Sequence, residues 1–150
     1  MEKLCFYGAG VVFDGAGSNP VDMLNYFCGN SCWLGHDKGV KPEQDRTIND
    51  IPIGSIIVAK SYAKISMRYY YIRAIGIVSD KKLPENVVNE YPNKTGFGVI
   101  WIKRFDEHIP FLAKDYQRGT FHTKTIFPEN NESMILKVEE TMKYDYKPEV

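Results

Sequence analysis

Lys60, Ser61 and Tyr62 are the residues best suited to meeting a ligand. They stand where the apolar run Ile53-Gly54-Ser55-Ile56-Ile57-Val58-Ala59 gives way to an ammonium, a hydroxyl and a phenol. In a strand the side chains alternate, so Lys60 and Tyr62 share one face and Ser61 takes the other. An ammonium beside an aromatic ring suits a flat, polar ligand. Trp33 and Trp101 extend the idea to an aromatic cage with Tyr62. A base that leaves its stack forfeits a few kcal/mol, and stacking on a ring returns about 1–3 kcal/mol per base. Lys60, Ser61 and Asp37 are candidates for reading polar edges, and Arg118 for holding a phosphate. The competing use of both tryptophans is to fill the core, the usual fate of large rings in a domain this size.

Two other chemistries compete with the cage. Cys28, Cys32 and His36 follow one another at intervals of four, but Gly29 interrupts a helix between them. A zinc site would also need a distant fourth ligand such as His108 or His122. Buried structural cysteines are the simpler reading, and no metal or cofactor is assigned. Lys60, at the end of a buried strand, is placed for a lowered pKa that would let it activate a hydroxyl. Ser61 points to the opposite face, however, and no glutamate lies near in sequence. A Gly-x4-Gly-Lys-Ser/Thr phosphate loop is absent, so hydrolysis of nucleotide by that route is excluded.

The elements that must position these residues follow from pattern. A chain of 150 residues, 43% hydrophobic and 25% charged, suits one domain with a core of its own. The runs on either side of Ala63 to Arg68, rich in β-branched and aromatic residues, predict a core hairpin from Ile53 to Val78. Leu4 to Phe13 predicts a strand bent at Gly8 and Gly10. Asn19-Pro20 predicts a helix start with Asn19 as N-cap and Gly29 just past the end. Ser31 to Asp37 reads as extended, and Lys38 to Arg46 as a polar loop. Ser79 to Thr95 is a loop long enough to hold some local structure. Gly96 to Lys103 reads as a strand with Val99, Trp101 and Lys103 on one face, Pro110 to Tyr116 as a helical turn, and Gly119 to Phe127 as a last strand. Asn131 to Tyr144 reads as a closing helix, with a strand over Met134 to Val138 as the alternative. Strands interrupted by short helices without regular alternation imply an α+β domain around a small mixed barrel.

Charge narrows the partners. Lys plus Arg total 19 and Asp plus Glu total 19, so no global field draws the chain to phosphate backbones. Locally, Lys60, Lys64, Arg68, Arg73, Lys81 and Lys82 face a single acid, Asp80, while six acids face three lysines from Glu129 onward. Lys64, Arg68 and Arg73 are therefore the candidates for nucleic-acid backbone contacts, against the alternative of a solvated surface. Of Tyr69, Tyr70 and Tyr71, alternation leaves at least one ring to stack on nucleic acid or to meet a protein. Three cysteines, an odd number, with no signal-peptide pattern or membrane span, predict a reducing, cytoplasmic setting.

Taken in order, several short motifs resemble the EVE-like branch of the PUA superfamily, above all modules fused to McrB-type restriction GTPases or AAA ATPases. They are Phe6-Tyr7-Gly8-Ala9, Phe27, Trp33-Leu34-Gly35-His36-Asp37, Ile53 to Ser61, Ala74-Ile75-Gly76-Ile77-Val78, Val99-Ile100-Trp101 and Arg118-Gly119-Thr120. The chain departs from that pattern at Ser55, where the family usually has Asp, and at His36, often an aromatic. The resemblance implies a PUA-like pseudo-barrel and a pocket accepting a modified base flipped from DNA, in a non-catalytic, defence-associated reader. Related ASCH domains include amidohydrolases of modified nucleosides that use a lysine, a threonine and a glutamate. A protein-interaction adaptor for a prokaryotic or mobile-element partner is the alternative from another class.

Overall fold

The computed structural model describes residues 5–14, 20–62, 69–112, 126–130 and 132–144. Six of its strands, β1 (Phe6–Gly10), β4 (Cys32–Asp37), β5 (Ile56–Tyr62), β6 (Tyr69–Asp80), β7 (Lys94–Leu112) and β8 (Ile126–Pro128), form the main sheet. That sheet curls into a half-barrel in the order β4-β7-β6-β5-β1-β8, with short helices around it, an α+β arrangement compatible with a β pseudo-barrel. A separate two-stranded sheet pairs β2 (Val12–Asp14) with β3 (Pro20–Asp22). The helices are α1 (Leu24–Asn30), α2 (Pro42–Asp50), α3 (Glu85–Glu90) and α4 (Glu132–Tyr144).

The hairpin expected from the sequence is β5 paired antiparallel with β6; its joint, residues 63–68, lies outside the described residues. β5 also pairs in parallel with β1, from Phe6 opposite Ile56 to Gly10 opposite Lys60. Pairing with β1 and β6 closes both edges of β5, and its two faces are covered as well. Ile57 and Ala59 join Phe27, Trp33 and Phe97 in one core, whereas Val58 joins Ile72, Ile75, Met134 and Val138 in a second core beneath α4. That two-sided burial explains why the run lacks polar alternation.

Several expectations are corrected. Asn19-Pro20 does not open a helix: Pro20 begins β3, which is held against β2, and the helix starts at Leu24. Asp22 supplies the side-chain acceptor there, its Oδ1 taking the Leu24 N–H at 3.0 Å. Gly29 lies within α1, which Ser31 ends in the left-handed conformation. Lys38 to Arg46 is not wholly loop, since Pro42 takes the first turn of α2, Glu43 and Asp45 favour its N-terminus, and Gln44 and Ile48 are buried. Pro110 to Leu112 extends β7 rather than forming a helical turn. The long loop does carry local structure, α3, and the closing segment is helical, with Met134 and Val138 buried. Of the expected last strand, only its end lies among the described residues, as β8.

Bulges decide what the sheet presents. Ala59 pairs with Ala74 but Lys60 pairs with Ile72, so Arg73 is an extra residue in β6. A bulge turns a side chain away from strict alternation. A second shift, where Gly76 pairs with Trp101 and Ile75 with Lys103, puts Lys103 on the α4 side, donating to Thr141 O at 3.2 Å. Lys103 therefore does not share a face with Val99 and Trp101, because a one-residue slip exchanges faces.

Candidate functional site

At the end of the β5–β6 pair, two buried cations occupy opposite faces. On the first-core face, Arg73 Nη1 donates to Ser61 Oγ at 3.3 Å and Nη2 donates to Asp22 Oδ2 at 2.7 Å. Arg73 is only 8% exposed and its Nε–H has no acceptor among the described residues. The Asp22 side chain is 46% exposed, so the pair is closed at the guanidinium and open at the carboxylate. The Arg73 bulge creates this contact. Regular alternation back from Ile75 would turn residue 73 toward α4, whereas the extra residue leaves Arg73 and Ala74 both on the side of Ser61 and Ala59.

On the α4 face, Lys60 is 2% exposed. Its Nζ lies 3.6 Å from Glu129 Oε2 and 4.0 Å from the centroid of the Phe127 ring. Gly8 makes room for it, for a Cβ there would fall 2.7 Å from the ring and 2.8 Å from Nζ. Burial pulls the Lys60 pKa from 10.5 to about 7, against Glu129, which raises it. The glutamate absent from the neighbouring sequence is thus supplied by the loop after β8, which also donates its Glu129 N–H to Phe6 O at 2.7 Å. A lysine so lowered can take up or release a proton, but Ser61 stands across the sheet and offers it no hydroxyl.

The remaining candidates are dispersed. Trp33 is wholly buried; its ring stacks on Phe97 at 5.3 Å and its Nε1–H donates to Gly10 O at 2.9 Å, the core-filling use weighed above. Trp101 is half-buried, its indole N–H shared between Phe27 O at 3.1 Å and Cys32 O at 3.2 Å. Both indole N–H groups are therefore spent on backbone carbonyls. Tyr62 pairs with Tyr70 across the sheet, its ring lying outside the description. Asp37 is exposed, 3.2 Å from Lys94 at the start of β7, whereas the row of Lys60 and Ile72 meets β7 at Ile109, near its other end. The structure thus brings Ser61 and Arg73 together and leaves Asp37 elsewhere. Arg118, Lys64 and Arg68 lie outside the described residues, as do His122 and the side chain of His108.

The basic stretch is not a uniformly solvated surface either. Lys60 and Arg73 are buried, and Lys81 Nζ caps the end of α2, donating to Ile48 O at 2.7 Å, Asn49 O at 3.0 Å and Ile51 O at 2.5 Å. Lys82 is exposed. Burial raises the Cys28 thiol pKa and lifts that of Cys32 to about 12, while it lowers that of His36. Among the described residues, no three His, Cys, Asp or Glu side chains converge as metal ligands. No helix among them is long and apolar enough to cross a membrane.

Sequence reasoning missed Asp22 as an ion-pair partner and Glu129 as the partner of Lys60. Asp22 carries a signal in hindsight, an acid at a helix start; Glu129 carries none, because its contact is made by tertiary packing. No known family pattern matches this chain, and no curated protein matches it.

Proposed function

We propose that this chain is a non-catalytic nucleic-acid-binding module of the EVE-like, PUA-superfamily kind, which recognises a modified, flipped-out base, in DNA more than RNA. One observation carries the reading. Ser61 and Arg73, two residues singled out for contact with nucleic acid, meet on one face with Asp22, giving a buried guanidinium held in a fixed orientation beside a half-exposed carboxylate. Fixed polar groups of this kind read the edge of a base once it leaves the stack. With Arg73 buried, backbone contacts fall to Lys64, Arg68 and the exposed Lys82. The curled sheet with its parallel β1–β5 pair is compatible with the pseudo-barrel that the resemblance implies. In this reading the protein works in the cytoplasm, and a protein partner supplies any effector activity.

Fluorescence anisotropy with short single- and double-stranded DNA and RNA, each bearing one of a panel of modified or unmodified bases, tests the reading. Tight binding that depends on one modification is the expected result. Uniform absence of binding would refute it. A second reading, a protein-interaction module, is favoured by Ile100 and Ile102, which are 60% and 42% exposed on β7. Stoichiometric capture of one protein, unaffected by added nucleic acid, would select it.

A further inference from the structure

We propose that the Asp22–Arg73 pair is a neutral donor–acceptor edge that takes the amide-like edge of a nucleobase and turns phosphate away. The inference rests on the nucleic-acid reading above and names the part of the polymer this group meets, moving Arg73 from the backbone contacts expected of it to the base.

Valence supplies the first argument. A guanidinium has five N–H donors and each carboxylate oxygen has more than one acceptor position. Arg73 uses one donor on Ser61 Oγ and one on Asp22 Oδ2, and its buried Nε–H has no partner among the described residues. Asp22 Oδ1 accepts the Leu24 N–H and Oδ2 accepts Arg73, which leaves each oxygen able to accept once more. The Arg73 Nε–H is thus buried without an acceptor among the described residues, while the half-exposed Asp22 carboxylate keeps acceptor positions that face solvent and are open to a donor. A nucleobase edge with adjacent C=O and N–H groups offers both.

Charge supplies the second. The guanidinium and the carboxylate cancel at 2.7 Å, and the member that reaches solvent is the anion. A phosphate approaching from water would meet a carboxylate first, whereas a neutral base incurs no such repulsion. Of the neighbouring cations, Lys60 is held on the opposite face by Glu129 and Lys81 by the carbonyls at the end of α2, while the exposed Arg104, paired with Ala74, donates to Asn25 Oδ1 of α1. Position supplies the third. Arg73 reaches Ser61 only because β6 carries an extra residue there, and bulges of this kind re-aim side chains beside binding sites.

The test follows arginine side-chain Nε–H signals in 15N-edited NMR spectra of the whole chain, with the Arg73 signal identified by its loss in Arg73→Lys. Free nucleosides, modified and unmodified, and inorganic phosphate are added separately at matched ionic strength. The expected result is a shift of the Arg73 signal with at least one nucleoside and none with phosphate. In oligonucleotide binding, Arg73→Gln, which removes the charge, is expected to relax discrimination between bases and to leave the slope of log K against log salt unchanged. A shift with phosphate alone, a shift with neither probe, or a slope reduced by about 1 would overturn the inference. Wild-type protein that binds no oligonucleotide removes the nucleic-acid reading itself. Phosphate-like behaviour of Arg73 in a protein that does bind removes only this inference.

Discussion

Lys60 and Arg73 sit back to back near the end of the same strand pair, and burial treats them differently. Lys60 faces α4, sealed beneath Phe127 with Glu129 as its counter-charge, and desolvation lowers its pKa to about 7. A guanidinium has no such escape, because it stays protonated in proteins. Arg73 instead keeps a carboxylate at 2.7 Å, and that carboxylate reaches solvent. The closed pair ties β5 to the chain after β8, while the open pair presents unmatched polar valence. A buried charge alone therefore does not mark a ligand site; in the reading proposed above, the pair with one side open to solvent is the one that meets the base.

The largest effect that would sharpen this contrast belongs to Glu129→Gln. Removing the counter-charge strands a buried ammonium, and breaking a buried pair in this way costs about 3–5 kcal/mol. The loss depends on pH in a definite sense. The Lys60 pKa is 10.5 as an ordinary lysine and about 7 in the fold. Between those values the unfolded chain binds more protons, so the contribution of Lys60 to stability rises with pH. Below about 7 both states are protonated and the full burial penalty stands. Urea unfolding should accordingly show a large loss for Glu129→Gln at pH 6 and a smaller one at pH 9. A loss independent of pH would show that Lys60 does not titrate in the fold.

A smaller effect is expected at Lys81, a cation of the same stretch engaged with backbone. Lys81→Met removes a charged donor from the C-terminal carbonyls of α2, a contribution of about 0.3–1 kcal/mol. Thermal unfolding should show a modest drop, with base-dependent binding unchanged. Lost binding at preserved stability would place Lys81 in the nucleic-acid surface instead.

The sequence made the hairpin legible because its two runs are dense in β-branched residues with both faces covered, a pattern that needs no long-range information. The opposite facing of Lys60 and Ser61 followed from alternation alone, and contacts on the two faces agree with it. The orientation of Arg73 was not legible, since one extra residue in β6 reverses what alternation implies and nothing local announces it. Pro20 fits the first residue of a strand as well as the first turn of a helix, and pairing with β2 decided between them. In α2 the polarity of Lys38 to Arg46 obscured a helix that Pro42, Glu43 and Asp45 had marked by position. Trp33 shows the limit for aromatic rings, because ligand wall and core filler share one composition and only the stacking on Phe97 separates them.

The most direct measurement of the account compares Ser61→Ala with Glu129→Gln on the same oligonucleotide panel, with the stability of each variant measured in parallel. The prediction is that Ser61→Ala, which removes one acceptor holding Arg73, lowers discrimination between bases and costs about 1 kcal/mol of stability. Glu129→Gln should lose several-fold more stability yet, under conditions where it remains folded, retain the discrimination. The reverse pattern, with discrimination kept in Ser61→Ala and lost in folded Glu129→Gln, would contradict the assignment and move the ligand to the Lys60 face.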